Sequence, residues 1–96
     1  MLVLVTYDVS TETPEGRKRL NKVAKTCVAH GQRVQNSVFE CNLDWSRFIA
    51  LQNKLKSIIN SAEDSLRFYN LGNSYKEKVV HIGIKPSIQL DADLIV

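Results

Sequence analysis

The chain has 96 residues, 44% of them apolar, with a net charge of +3. That length suits one domain and is too short for two, and no apolar run reaches the roughly 18 residues a membrane span needs. The opening MLVLVTYDV is short, ends in a charge and lacks a basic leader or small-residue cleavage site, which predicts a cytoplasmic protein rather than an exported one.

Leu2 to Val9 is a nearly continuous, Val-rich apolar run whose polar residues Thr6, Tyr7 and Asp8 come only at its end, the pattern of a central strand covered on both faces. Thr13-Pro14-Glu15 then supplies an N-cap, a proline at the first helical position and an acid in the first turn. Leu20, Val23, Ala24, Cys27 and Val28 follow at helical spacing, and His30-Gly31 closes the helix where a left-handed C-cap is wanted. Arg33 to Cys41 reads as two short strands bent at Asn36-Ser37. Asp44 caps a second helix with an apolar stripe of Phe48, Leu51, Leu55 and Ile58, ended by Asn60-Ser61. Ser65 to Leu71 alternates as a strand. After the Gly72-Asn73-Ser74 turn, Lys78 to Ile84 predicts a last strand ended by Pro86.

The order is β-α-β-β-α-β with an extra C-terminal strand. It specifies an α+β fold, a ferredoxin-like sandwich spanning 1–96 as one domain, with both helices on one sheet face and the other face open to a partner. The surplus strand is free to pair between protomers. Many activities share this fold, so function has to come from particular residues.

Asp8 stands first among these. A carboxylate directly after an apolar strand sits at the edge of the core, partly desolvated. It can equally be an ordinary loop aspartate bonding the amides of Ser10 or Thr11. A single carboxylate is a poor magnesium site, but a twofold axis near Asp8 would bring two together. Arg17, Lys18, Arg19, Lys22 and Lys25 contain no acid between them, which suits a polyanion-facing surface or simply a solvated helix face. In the string Gly31 to Glu40, Arg33 can fork onto a phosphate and Ser37 can donate its hydroxyl to one, while Phe39 reads as core. The aromatic pattern of an RNA-reading sheet is missing. So are Walker, dinucleotide and zinc-protease motifs. Cys27 and Cys41 read as reduced thiols, Cys27 as a core residue; His30 and His81 have no catalytic constellation around them.

Tyr7-Asp8-Val9-Ser10, the basic helix after it, the Arg33-Val34-Gln35-x-Ser37-Val38-Phe39-Glu40 string and the late Ser65-Leu66-Arg67-Phe68-Tyr69 strand together resemble the small CRISPR-associated endonuclease family of the spacer-acquisition machinery. The resemblance covers most of the chain. It implies a homodimer in which the C-terminal segment, from about residue 76 to 96, packs on the neighbouring protomer. It implies integrase subunits as partners, DNA or RNA as the nucleic acid, and phosphodiester cleavage dependent on Mg²⁺ or Mn²⁺. Asp8 is then the metal-binding, catalytic carboxylate, with Tyr7 and Ser10 beside it. Arg17, Arg19 and Arg33 form the phosphate-facing set, and Ser37 and Phe39 lie in the matching strand motif. A non-catalytic adaptor that holds integrase subunits and DNA is the rival reading, and a toxin-like RNA interferase a third.

Overall fold

The computed structural model describes residues 1–83. Its elements run β1 (Leu2–Asp8), α1 (Pro14–His30), β2 (Gln32–Gln35), β3 (Val38–Asn42), α2 (Trp45–Ile58) and β4 (Ser65–Asn70). They form one antiparallel sheet in the order β2-β3-β1-β4, the ferredoxin-like arrangement the sequence predicts. β1 is central, as its apolar run requires. The predicted bend at Asn36-Ser37 is a tight turn between β2 and β3, preceded by a register shift between Arg33 and Gln35.

Both caps form as expected. The Thr13 hydroxyl accepts the Gly16 N–H at 3.1 Å, and the Asp44 carboxylate accepts the Arg47 N–H at 2.8 Å. The helices cover the sheet face that carries Val3, Val5 and Tyr7 of β1 with Phe39 and Cys41 of β3. Val23 and Cys27 of α1 and Phe48, Leu51 and Leu55 of α2 fill the space between. At about 25 cal/mol per Å² of apolar surface, this layer supplies most of the drive to fold.

Three expectations need correction. Gly31 is extended, at φ −167° and ψ −160°, and not left-handed. It is glycine because a Cβ there would run into the Glu40 carbonyl oxygen and Cys41 of the neighbouring strand. Val28 is 58% exposed, because the buried stripe of α1 narrows to Val23 and Cys27 at its C-terminal half. β1 is covered along its whole length on one face only: among the described residues, the other face buries Leu2 but leaves Leu4 and Thr6 half-buried and Asp8 exposed.

The predicted final strand begins inside the described residues, but 78–83 pair with no strand there; a turn joins Lys78 N–H to the Tyr75 carbonyl at 2.9 Å. Ile84 and the tail to Val96 lie outside the described residues. Among the described residues no helix is long and apolar enough to cross a membrane.

Candidate functional site

β1 delivers Tyr7 and Asp8 to its C-terminal end on opposite faces, because side chains alternate along a strand. Tyr7 turns under the helices and is buried, its ring stacked 6.1 Å from that of Phe39. Asp8 turns to the open face, in register with Ser65 of β4, and is exposed. The sequence predicted a partly desolvated carboxylate at the core's edge; the open face lacks the cover that would desolvate it.

The chain leaving Asp8 is held from three directions. Val9 drops back into the core. The Ser10 N–H is bonded to the Asp64 carboxylate at 3.0 Å, and the Ser10 carbonyl lies so close to Gly16 that any Cβ there would collide with it. Arg17 donates from Nη1 to the Thr11 carbonyl at 3.0 Å. The alternative role for Asp8, bonding the amides of Ser10 or Thr11, is therefore not taken: Asp64 has the Ser10 amide. Among the described residues the Asp8 carboxylate makes no hydrogen bond or ion pair.

Asp64 is the hub of this end of the molecule. Its side chain is fully buried and also accepts the Asn60 N–H at 2.8 Å and Arg19 Nε at 2.8 Å. Burial pushes its carboxyl up, but the Arg19 guanidinium and the two backbone N–H groups outweigh that and hold it below the ordinary value. Sequence reading missed both Asp64 and Gly16. Glu63-Asp64 looks like turn acids before a strand, and nothing local reveals a partner 54 residues away.

The residues implied by the resemblance are thus distributed over the fold. Tyr7, Asp8, Ser10 and Ser37 gather at one end of the sheet, the Ser37 carbonyl accepting the Tyr7 N–H at 3.1 Å. Arg33 comes from the opposite face to Asp8: its guanidinium lies 5.0 Å over the Phe39 ring, which is fully buried. The Tyr7 hydroxyl donates to the Asn36 carbonyl at 3.3 Å, and burial raises its phenol while Arg33 opposes the rise. Arg19 turns inward to Asp64 and, at 3.4 Å, to Glu63. Arg17 is exposed at the start of α1.

As a metal ligand, Asp8 fits as half of a site. It is accessible and uncommitted, yet among the described residues no cluster of three or more His, Cys, Asp or Glu could hold an ion. The described residues supply no second carboxylate beside it.

The fold defines a small ferredoxin-like protein whose uncommitted carboxylate ends its central strand. The family model described as CRISPR associated protein Cas2 matches residues 1–79. A CRISPR-associated endonuclease Cas2 from Halalkalibacterium halodurans is 59% identical over 99% of both chains. A CRISPR-associated endoribonuclease Cas2 from Chlorobaculum tepidum is 54% identical, again over 99% of each. The crystal structure of Streptococcus pyogenes Cas2 superposes with a TM-score of 0.75 at 55% identity, covering 86% of this chain and all of that one. The chain belongs to the Cas2 family.

Proposed function

We propose that the protein is a divalent-metal-dependent endonuclease of CRISPR adaptation, hydrolysing phosphodiesters at a site shared by two protomers. One observation carries this reading: Asp8 is an exposed carboxylate with no partner among the described residues, at the end of β1 and just before a loop anchored by Asp64. A carboxylate kept free on a rigid support is available to bind something else. Relatives named endonuclease and endoribonuclease support the nuclease class and leave DNA and RNA both open as substrates.

In this reading two chains meet through the open sheet face, where Leu4 and Val38 are half-buried and Tyr69 is 42% exposed with no helix over them. The twofold axis brings Asp8 close to Asp8 of the partner subunit, completing what one chain lacks. The segment from about residue 76 packs on the neighbour, giving the unpaired 78–83 stretch an edge to join. Mg²⁺ or Mn²⁺ held there would polarise the phosphate and lower the pKa of bound water. The chain's own residues do the rest. The two Asp8 carboxylates hold the ion, Ser10 and Ser37 place hydroxyls beside the phosphate, and Arg17 offsets charge on the flanking backbone. Arg19 and Arg33 act more remotely, through Asp64 and along the Phe39 face. The protein works in the cytoplasm alongside integrase subunits.

The test is cleavage of duplex DNA and single-stranded RNA by wild type and Asp8→Ala, with Mg²⁺ or with EDTA. Metal-dependent cutting of one substrate, lost in Asp8→Ala, supports the reading and identifies the substrate. Cutting that is equal in both proteins, or absent from both, replaces it with the adaptor reading, in which the chain grips DNA and positions integrase subunits without cleaving.

A further inference from the structure

α1 and α2 lie side by side on the helix-covered face, and the furrow between them encloses a cavity of about 620 Å³. Lys18, Lys22 and Lys25 line it from α1, at positions i, i+4 and i+7, and Lys54 closes it from α2. Glu15 is the only acid in the lining. The other nearby acids, Glu63 and Asp64, are taken by Arg19, and among the described residues none of the four lysines has an ion-pair partner. Like charges stacked along one helix stripe weaken the helix. An anion bound among the four lysines would relieve that repulsion.

The chemistry of the lining selects the anion. Lysine offers compact point charges of the kind that contact phosphate without reading bases. The Thr26 and Ser57 hydroxyls in the lining donate to the Lys22 and Lys54 carbonyls at 2.8 and 2.6 Å, which leaves the contacts to the ammonium groups. A protein partner would call for an aromatic or arginine anchor in a desolvated pocket; the only large apolar side chain in the lining is Ile58, and its one arginine, Arg19, is engaged by Asp64 and Glu63. Seven residues of helix advance about 10 Å, over which duplex nucleic acid presents about six charges. A polyphosphate backbone therefore matches the stripe in length and charge, where a single small anion would leave part of it unmatched.

We propose that the α1–α2 furrow is a second nucleic-acid site, in which Lys18, Lys22, Lys25 and Lys54 hold the sugar–phosphate backbone without sequence preference. It lies on the face of the sheet opposite Asp8, and its four lysines have no part in the cleavage site; Arg19, which also lines the furrow, is held by Asp64. It rests on the nucleic-acid part of the proposed function and is independent of cleavage.

The experiment is fluorescence anisotropy of a labelled random-sequence DNA duplex with full-length protein in EDTA, over a range of salt. The proteins compared are wild type, Lys56→Gln and the combined Lys22→Gln, Lys25→Gln, Lys54→Gln variant. These lysines are exposed, so the variant is expected to fold, and circular dichroism checks that it does. The proposal expects the lysine variant to bind at least about tenfold more weakly at low salt. Its log affinity against log salt should flatten by about three, one unit per lost phosphate contact. Lys56→Gln, which removes an exposed lysine of α2 outside the furrow lining, should bind as wild type does. Unchanged affinity and slope in the lysine variant overturn the proposal. So does selective loss of polyglutamate binding with duplex binding intact, which assigns the furrow to an acidic protein segment. If wild type fails to cleave in the separate Mg²⁺ assay but the slope change appears here, the nuclease reading fails and this one stands.

Discussion

The Asp64 carboxylate bonds the Ser10 backbone N–H at 3.0 Å, and this contact sets how the chain leaves the strand that ends in Asp8. It spans 54 positions and ties the start of β4 to the loop after β1. By taking the Ser10 amide, Asp64 does the structural work and leaves the Asp8 carboxylate open.

That division of labour predicts opposite behaviour for the two aspartates. Asp8→Ala removes an exposed group with no internal partner, so stability should stay within about 0.5 kcal/mol of wild type. Asp64→Asn leaves buried donors unsatisfied and should cost about 2 kcal/mol. Urea unfolding of both variants checks this, and equal effects would mean Asp64 is not the anchor.

The Asp64 pair also predicts a pH window. Its carboxyl is depressed in the fold relative to the ordinary value of 3.8. The stabilisation is therefore complete above that value and is lost as pH falls through the lower folded value. Unfolding of wild type and Asp64→Asn should differ most near neutrality and converge only as pH falls below the ordinary carboxyl value of 3.8. A gap that persists at the acid end would contradict the assignment.

Gly31 separates two reasons for a glycine at a helix end. Asparagine tolerates a left-handed cap, whereas close packing against β3 excludes every side chain. Gly31→Asn and Gly31→Ala should both lower stability, each by about 1–3 kcal/mol, because Glu40 and Cys41 must move. Thermal melts of the pair decide; a near-neutral Asn variant would restore the capping explanation.

Both thiols should be silent in the native state. Burial pushes Cys27 up to about 12 and Cys41 up to about 11, so neither forms thiolate at neutral pH. A thiol reagent at mildly alkaline pH is expected to label them only as fast as the protein unfolds. Rapid labelling under native conditions would show that this part of the core opens locally.

Much of the fold was legible because its signals are local. The Thr13-Pro14 start of α1, the Asp44 cap of α2, the Asn36-Ser37 turn and the alternation of Leu66 and Phe68 with Arg67 and Tyr69 each lie within a few residues. The order of those elements was enough for the topology. Asp8 was visible as an acid ending an apolar strand, but its freedom was not, since that depends on Asp64 claiming the neighbouring amide from across the fold. Gly16 and Gly31 owe their identity to distant backbone, Ser10 and Glu40 respectively, which a single sequence does not show. The lysine stripe of α1 was readable, but Lys54 joined it only once α2 had packed alongside.

The central claim, that one cleavage site needs Asp8 from two chains, is tested most directly by mixed dimers. Wild type and Asp8→Ala are unfolded together, refolded at varied ratios and assayed with Mg²⁺ at constant total protein. A shared site predicts that activity falls with the square of the wild-type fraction, to about a quarter at equal mixing. Activity that falls in simple proportion, to about a half, would show that each protomer cleaves with its own Asp8 and would contradict the shared site.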